Sequence, residues 1–571
     1  MNKIYLIPIF SLFILFFSPK YSFSQDNHSF QWRYRSTTDA PMRNLDVLAL
    51  PDYGYLSSGL IEIPNTNGIL NPYVYRTDCQ GKVLWAKQLA EGTEGANNIG
   101  GRILPISSTE FILVCNIGFF FSSPKNSIFL AKIDINGNVK WTKKLGGGTQ
   151  KQTVIQDAIV SADGNILIAG QTGSFGSDSG NNDYTDQYFV KISPAGNIIW
   201  SKTYGNPKAI DRSFAITELA DNSIVTAGSY LHAGTFYANL LKMDKDGNLL
   251  WNKVFGDSIA PHANHAYGVL ACKDGGFLIT GSTTNAKENF QSYSDMLVIK
   301  TNSDGVAQWT RVVAGGAPDL FENSVNSTET ENGDYVVMCA TSSFPTSGFV
   351  GNKYAIITLS SGGSIKNTTT FNQGSSHYPR LLKNKAEGGY MITGFTNWSG
   401  YGGDNNTFDP ILINTDYKFG VNDCHTNDAT SVTSVYNPNF DFKNGPATAG
   451  SGGTLTETIT NVTDFDLKLN NICEKNGYVS CTNATLPIQE ANDLITMTPN
   501  PAQVNVPINI KWELDGIETI QVTDIQGKII SEGKVDNWYK NANITLNESG
   551  FYFVRLSNSN TQYFKKLVVI Q

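Results

Sequence analysis

The sequence predicts an all-β fold built from one repeated unit of antiparallel strands. Tryptophan recurs through the first two-thirds of the chain at successive gaps of 53, 56, 59, 51 and 58 residues, and a near-constant period of this size is typical of stacked supersecondary units. Each tryptophan follows the same turn pattern, and further apolar strand patterns precede that turn. The recurring residues are Trp32, Trp85, Trp141, Trp200, Trp251 and Trp309.

A β-hairpin of constant length ends each repeat. A basic residue stands nine positions before the tryptophan, as Lys132 does before Trp141, and a glycine stands four positions before it, as Gly137 does. The polar turn between the two strands is rich in Asp, Asn and Gly, which is the usual composition of a tight hairpin. Because the spacing is constant, we expect the same strand register in every repeat.

Two further strands are expected upstream of each hairpin. "GNILIAG" at 164–170 and "GGFLITG" at 275–281 are short apolar runs bounded by turn residues, which favours strands covered on both faces. Another strand pattern precedes them, as in "QDAIVSA" at 156–162. Four antiparallel strands in about 50–60 residues are the size of one β-propeller blade.

Seven such blades are expected over residues 26–424. The sixth repeat has Asn367 where the others have tryptophan, and the seventh supplies three strands that end near residues 410–416. The segment around Trp32 is a last strand with no repeat before it. We therefore expect this N-terminal strand to complete the seventh blade, which closes the propeller and removes its open sheet edge.

The six tryptophans are expected to form the core of the repeat. One ring at a fixed position in each blade packs between neighbouring sheets, where its burial contributes about 3 kcal/mol. A sugar-stacking platform is the alternative, but a ligand site need not be copied into every repeat. The glycine before each tryptophan resembles the docking device of quinoprotein propellers, and the Asp-rich turns resemble the Asp boxes of sialidases. Both resemblances imply a structural device rather than a catalytic site.

The first 25 residues are expected to be a signal peptide. Lys3 precedes an apolar run at 4–17, and small polar residues follow, a pattern that is typical of export and too short for a membrane span. No transmembrane segment is expected in the mature chain. The formal net charge of −8 argues against nucleic acid as a partner.

Residues 494–571 carry alternating strand patterns separated by turn signals, which predicts a small β-sandwich. "TPNP" at 498–501, "DIQGKII" at 524–530, "SGFYFVRL" at 549–556 and "KKLVVIQ" at 565–571 follow in this order. Together they resemble the C-terminal sorting domain of type IX secretion substrates in Bacteroidetes. The resemblance implies export by Sec, passage through the outer membrane by the type IX machinery, and a protein that is secreted or attached to the outer cell surface. The residues that match the family motif are Pro499, Asn500, Pro501, Gly527, Gly550, Tyr552, Val554, Lys565, Lys566 and Val568.

Residues 425–493 are rich in Thr, Asn, Ser and Gly, a composition that predicts a linker that can include a hairpin. Its end, "DLKLNNIC" at 466–473, has the alternation of a strand. An exported chain can form disulfides. A bond from Cys424 to Cys473 or to Cys481 would fix this segment to the propeller, and the spacing does not choose between the two.

Two long insertions between strands, at 173–186 and 396–409, are the expected ligand-binding loops. Loops on a rigid scaffold commonly carry function. We therefore expect an extracellular scaffold for binding or adhesion, with a glycan or a protein as its ligand. The aromatic residues that these loops supply are Tyr184, Trp398, Tyr401 and Phe408.

The alternative is a secreted enzyme that acts on polysaccharide as a hydrolase or lyase. No G-x-S-x-G, Walker or dinucleotide-binding motif occurs, so no catalytic residue, cofactor or metal ligand is assigned. His262 and His265 could hold a metal only if a carboxylate converged on them, and a solvated loop is the favoured interpretation. A close carboxylate pair in a deep pocket would favour the enzyme, whereas a shallow aromatic surface would favour binding.

Overall fold

The computed structural model of this chain is built from antiparallel sheets, and every element of the described residues is a strand. The prediction of an all-β fold is confirmed. No helix among these residues is long and apolar enough to span a membrane. The signal-peptide segment 1–25 and the candidate residues Trp398, Tyr401 and Gly527 lie outside them. The described residues are 29–50, 54–63, 70–90, 96–117, 127–146, 152–174, 184–256, 263–284, 294–314, 322–341, 353–371, 376–384, 389–397, 408–415, 426–428, 434–436, 441–444, 448–450, 454–457, 461–464, 466–475, 488–490, 494–514, 516–524, 529–535, 540–557 and 562–570.

The described residues of the first three-quarters of the chain form seven four-stranded units, numbered here along the chain, in which each strand pairs with the next. Unit 1 comprises β2 (Met42–Ala49), β3 (Tyr55–Glu62), β4 (Leu70–Thr77) and β5 (Val83–Ala90); unit 2 comprises β6 (Ala96–Pro105), β7 (Glu110–Ile117), β8 (Ser127–Asp134) and β9 (Val139–Gly146); unit 3 comprises β10 (Thr153–Val160), β11 (Ile166–Thr172), β12 (Asp186–Ile192) and β13 (Ile198–Gly205); unit 4 comprises β14 (Arg212–Glu218), β15 (Ile224–His232), β16 (Thr235–Met243) and β17 (Leu249–Gly256). Unit 5 comprises β18 (Asn264–Ala271), β19 (Phe277–Thr284), β20 (Ser294–Thr301) and β21 (Ala307–Ala314); unit 6 comprises β22 (Glu322–Glu329), β23 (Tyr335–Thr341), β24 (Lys353–Leu359) and β25 (Ile365–Phe371); unit 7 comprises β26 (Ser376–Asn384), β27 (Tyr390–Asn397), β28 (Phe408–Thr415) and the N-terminal β1 (Ser29–Ser36).

Neighbouring units contact each other through their first strands. The contacts run from β2 through β6, β10, β14, β18 and β22 to β26, and β26 in turn contacts β2, so that the sequence of units is closed. We call this closed set of units the ring. Its many small antiparallel sheets are consistent with a propeller-like fold. Most of the second and third strands of the units are buried on both faces, as their continuous apolar runs indicate.

The hairpin that ends each unit has the constant register that the constant spacing predicts. Lys132 lies opposite Trp141 in unit 2, Lys191 opposite Trp200 in unit 3, and the same pairing recurs in units 1, 4 and 5. Several of these basic side chains also form ion pairs with an acidic residue of the turn after the first strand, such as Lys191 with Asp163 at 2.7 Å.

Each tryptophan ring covers a glycine in the hairpin turn of the following unit. The turn glycines adopt positive φ, from 72° to 82°, which favours residues without a Cβ. A Cβ on Gly305 would lie 3.0 Å from the Trp251 ring, and one on Gly81 would lie 2.7 Å from the Trp32 ring. The ring and turn pairs are Trp32 and Gly81, Trp85 and Gly137, Trp141 and Gly196, Trp200 and Gly247, Trp251 and Gly305, and Trp309 and Gly363.

The described strands within residues 426–475 add a fifth strand to the outer edge of each of the seven units. Moving along the segment, the strands pair with units 6, 5, 4, 3, 2, 1 and 7 in that order, and all seven pairings are antiparallel. We call this segment the belt. Its strands are β29 (Thr426–Asp428), β30 (Ser434–Tyr436), β31 (Asp441–Asn444), β32 (Thr448–Gly450), β33 (Thr454–Glu457), β34 (Asn461–Asp464) and β35 (Leu467–Lys475).

The belt differs from the linker that its composition predicts. Most of its strands are only three or four residues long, too short for hydrophobic alternation to appear in the sequence. They form because the last strand of each unit would otherwise leave a row of backbone N–H and C=O groups unpaired. In unit 7, β1 therefore lies between β28 and β35, with Trp32 opposite Leu412 on one side and Asn471 on the other.

The C-terminal residues form two sheets that share one hydrophobic core. Trp512 and Ile510 from the smaller sheet and Val522 and Val554 from the larger one belong to that core. The smaller sheet is β37 (Ile495–Thr498), β39 (Ile508–Trp512) and β42 (Asn541–Ile544); the larger is β36 (Ile488–Glu490), β38 (Ala502–Gln503), β40 (Thr519–Asp524), β41 (Ile529–Lys534), β43 (Gly550–Ser557) and β44 (Gln562–Ile570).

Candidate functional site

The two ends of the ring differ in the length of the connections between strands. Short turns join the first strand of a unit to the second and the third to the fourth, and we call this the turn end. The longer connections, including those at 173–186 and 396–409, join the second strand to the third at the opposite loop end. A small apolar cleft lies at the turn end between Leu48 and Phe111 of the ring and Thr523 and Phe553 of the C-terminal domain. The loop end therefore faces away from that domain.

The two loop aromatics that the structure describes lie on different units. Tyr184 is half-buried just before β12 in unit 3, and Phe408 is the first residue of β28 in unit 7. The Phe408 ring packs edge-on against Phe395, with 5.4 Å between centroids. The Arg43 guanidinium lies 5.0 Å from the centre of the Phe408 ring. The structure thus gives Phe408 packing partners within the ring and does not bring it together with Tyr184.

A denser aromatic group lies at the loop end between units 4 and 5. The rings of Phe214 and Tyr267 meet edge-on at 5.0 Å between centroids. The His265 ring stacks on Tyr267 at 5.8 Å and lies 5.0 Å from Phe236. Arg212, the first residue of β14, is close enough to affect the pKa of both His265 and Tyr267. We call these five side chains the arginine–aromatic cluster.

Two β-bulges position the rings of this cluster. The register between the first and second strands shifts by one residue in units 4 and 5, and the extra residues are Phe214 and Tyr267. A bulge redirects its side chain out of the regular alternation. Because the bulges occupy corresponding positions in neighbouring units, the two rings meet across the junction. Aromatic residues at the same position of two successive repeats, in "RSFAI" and "HAYGV", are the sequence signal that could have found them.

Arg212 is a half-buried cation without a counter-charge among the described residues. Burial lowers the pKa of its guanidinium, and Tyr267 opposes this shift. No carboxylate of the described residues contributes to that pKa, and the buried Nε has no hydrogen-bond partner among them. A charge removed from water is costly unless it is paired. The guanidinium of Arg212 is therefore suited to pair with an anion from outside the fold.

His265 is held in its neutral form beside this arginine. Burial, together with the positive charge of Arg212, lowers the pKa of His265 to about 4. Its buried Nδ1 has no hydrogen-bond partner among the described residues. The solvated loop expected for His265 is wrong, because the residue lies within β18 and packs against Phe236 and Tyr267. Its sequence neighbour His262 is outside the described residues.

The first strands of units 1 to 3 carry a different arrangement, in which the charges are compensated. Arg102 donates from Nε to Asp157 at 2.7 Å. Burial lowers the pKa of Arg102, but the attraction of Asp157 and Asp46 outweighs it, and the net shift is upward. The remaining oxygens of both carboxylates accept backbone N–H groups, Asp46 from Ile103 and Asp157 from Ile216, each at 3.0 Å. This network therefore joins neighbouring units and leaves little capacity for a ligand.

Asp409, a carboxylate at the loop end, has a raised pKa. Burial raises the pKa of Asp409 to about 6, although Arg33 lies nearby and opposes the shift. The Arg33 Nε lies 3.6 Å from the Asp409 carboxylate. Within the described parts of the chain, no group of three or more His, Cys, Asp and Glu side chains could hold a metal ion.

The motif residues of the C-terminal domain tie its last strand to the segment that begins the domain. Asn500 accepts a hydrogen bond from the backbone N–H of Val568 at 2.9 Å and donates to the carbonyl of Lys566 at 3.1 Å. Lys565 donates from Nζ to the carbonyl of Ile495. The ammonium of Lys566 lies 3.9 Å from the centre of the Phe551 ring.

Buried motif residues hold the neighbouring strand. Tyr552 and Val554 are buried in β43, and the Tyr552 hydroxyl donates to the carbonyl of Glu548 at 2.9 Å. Burial raises the pKa of Tyr552 to about 12. Gly550 begins this strand, while Pro499 and Pro501 flank Asn500 at the start of the domain.

Comparison with known families identifies this domain. Residues 496–570 match the secretion system C-terminal sorting domain. The chain carries a type IX sorting domain. It is therefore exported, and the mature protein is secreted or attached to the cell surface. The type IX machinery is accordingly a partner of the sorting domain. A search of curated proteins found no match to the chain.

Solved structures resemble the chain only distantly. A fungal alcohol oxidase of the AA5 family in complex with copper is 12% identical with a TM-score of 0.44, over 95% of this chain and 100% of that chain. Sqt1 from Chaetomium thermophilum is 7% identical with a TM-score of 0.33, over 67% and 98%. A mutant of puromycin hydrolase complexed with PGG is 11% identical with a TM-score of 0.31, over 62% and 58%. Likenesses of this size transfer no activity.

Proposed function

We propose that the protein is an exported seven-bladed β-propeller whose loop end binds an extracellular glycan or protein, as an adhesion or capture scaffold. Seven four-stranded units in a closed set of contacts support the blade count. The shared core of the two C-terminal sheets supports a small β-sandwich as the sorting domain. Export places the ring outside the cell, where such ligands occur.

The arginine–aromatic cluster is the observation that carries the binding role. It brings four rings and one cation together at the loop end, and half-buried aromatic surface with a few polar groups is typical of binding sites. The sorting domain lies at the turn end, so it does not cover this surface.

A polysaccharide hydrolase or lyase is the second candidate, and Asp409 is the observation that favours it. A carboxyl group with a pKa of about 6 is suited to donate a proton at neutral pH. Against this role, the other buried carboxylates described above are engaged by Arg102 and by backbone N–H groups.

The test is to incubate the purified mature protein with glycan and protein arrays and, in parallel, with soluble polysaccharides in a reducing-sugar assay. We expect saturable binding without release of reducing ends. Hydrolysis that is lost in Asp409→Asn but kept in Asp304→Asn, an exposed control in a turn of unit 5, would replace the scaffold by the enzyme. Absence of both binding and hydrolysis would contradict both functions.

A further inference from the structure

We propose that the arginine–aromatic cluster is a subsite for a carboxylated sugar, so that the ligand of the protein is an acidic polysaccharide. This inference rests on the proposed binding function and specifies its ligand class. The carboxylate of the sugar would pair with the guanidinium of Arg212, and the sugar ring would lie against the aromatic side chains of units 4 and 5.

The first argument is the charge of Arg212. Arg102 and Arg212 both lie on first strands of the ring, but Arg102 has two carboxylates near it and Arg212 has none among the described residues. A guanidinium presents N–H donors in a planar fork that fits a carboxylate with two parallel hydrogen bonds. An incoming carboxylate would therefore supply the counter-charge that the fold omits.

The second argument is the side chain next to it. The Nδ1 atom of His265 is buried without a partner among the described residues, and a neutral imidazole can donate one hydrogen bond. Because Arg212 and burial lower the pKa of His265, the imidazole carries no charge at neutral pH. The pair thus offers one full positive charge, which matches a singly charged carboxylate.

The third argument is the shape of the aromatic group. The rings of Phe214 and Tyr267 are half-buried on neighbouring strands and meet at 63°, so they form an angled wall rather than a flat surface. Phe236 adds a third ring beside His265. The apolar faces of a pyranose ring can pack against such a wall while its acidic group reaches the arginine, and this combination is typical of small-ligand sites.

The experiment compares trigalacturonate with its fully methyl-esterified form, which keeps the sugar rings and removes the charges. Binding of each to the full mature chain is measured by titration calorimetry for the wild type, Arg212→Gln, Arg212→Lys and Phe214→Ala. Lys208→Gln is the matched control, because it removes one positive charge from an exposed position in the segment leading to β14. A peptide with a free C-terminal carboxylate is tested alongside its amidated form.

We expect trigalacturonate to bind more tightly than its ester. Arg212→Gln should weaken trigalacturonate binding about 10- to 100-fold, which is the effect of losing a charged hydrogen-bonded partner, and should leave binding of the ester unchanged. Arg212→Lys should restore part of the loss, and Lys208→Gln should bind like the wild type. Isotope-labelled histidine gives a second readout, because a bound carboxylate would raise the pKa of His265.

Several results would overturn the subsite. Equal binding of trigalacturonate by wild type and Arg212→Gln would do so, as would equal binding of acid and ester by the wild type. Preference for the free peptide carboxylate over trigalacturonate would assign the cluster to a protein ligand. In each of these cases the proposed scaffold function would stand, whereas a wild-type protein that binds no array ligand would contradict that function itself.

Discussion

Arg102 and Arg212 occupy the same layer of the ring but have opposite surroundings. Each lies on the first strand of its unit, and burial lowers the pKa of both guanidinium groups. At Arg102 two carboxylates from neighbouring units reverse that shift, whereas at Arg212 only a tyrosine opposes it. The comparison teaches that the first strands of the ring can use an arginine in two ways. Arg102 in unit 2 joins neighbouring units, whereas Arg212 in unit 4 keeps a charge that a ligand could neutralise.

The largest expected effect is on stability at Arg102. Arg102→Met removes the partner of buried Asp157 and Asp46, and breaking a buried ion pair costs about 3–5 kcal/mol. The Arg102 side chain keeps 20% of its surface exposed, so we expect a loss near about 3 kcal/mol, the low end of that range. Urea unfolding of the two variants Arg102→Met and Arg212→Met measures the contrast.

Arg212→Met should behave in the opposite way. Arg212 is a half-buried cation with no counter-charge among the described residues, and an apolar side chain of similar length removes its desolvation cost. We therefore expect unchanged or higher stability together with lost binding of trigalacturonate. A loss of stability as large as that of Arg102→Met would mean that Arg212 has a structural counter-charge. That result would contradict the difference between the two arginines.

The next effect is a pH dependence at His265. Its pKa in the folded protein is about 4, below the ordinary 6.5, so the folded state binds fewer protons than the unfolded chain at intermediate pH. Stability should therefore be full above about pH 6.5 and fall by about 3 kcal/mol as the pH drops to 4. His265→Phe should flatten this decrease, measured as urea midpoints from pH 4 to 7.

His232→Gln is the control for that measurement, since His232 is exposed at the end of β15 in unit 4. It should keep the wild-type pH profile. If His265→Phe and His232→Gln gave the same profile as the wild type, the buried neutral histidine would be refuted.

The parts of the fold that repeat could be predicted from the sequence. A constant nine-residue spacing gave the register in which Lys132 lies opposite Trp141, because a hairpin of fixed length leaves the pairing no freedom. The sorting domain could also be predicted, since its motif residues are local and follow in order. Both signals lie within short stretches of chain.

The belt and the arginine–aromatic cluster could not be predicted in this way. The belt strands are stabilised by an edge that each unit provides, as Thr448–Gly450 are by β13, so their own composition resembles a linker. The cluster brings Arg212 and His265 together across two units, and a contact between units leaves no pattern within the sequence of either unit. The sequence analysis placed the binding site in the long loops instead. Loop length and aromatic content can be read from a sequence, but the distance between two side chains cannot.

The smallest expected effect is on the stability of two turn variants. It separates the contact between a tryptophan and a turn glycine from the backbone geometry of the turn itself. Gly275 and Gly305 both lie in tight turns of unit 5 at φ of 78° and 72°, and each donates its N–H to the carbonyl three residues before it. A Cβ on Gly305 would lie 3.0 Å from the Trp251 ring and from the flexible side chain of Lys253, whereas one on Gly275 would meet nothing within 4 Å.

Alanine at either glycine therefore incurs the backbone cost of positive φ, about 1–2 kcal/mol, but only Gly305→Ala also crowds the tryptophan. We expect Gly305→Ala to lower the free energy of unfolding by about 1 kcal/mol more than Gly275→Ala does. When Gly305→Ala is made in a Trp251→Leu background, most of that difference should disappear. Equal losses for the two single variants would mean that the tryptophan moves aside without cost. In that case the ring would be held by its first strands and the belt rather than by the contacts that produce the tryptophan period.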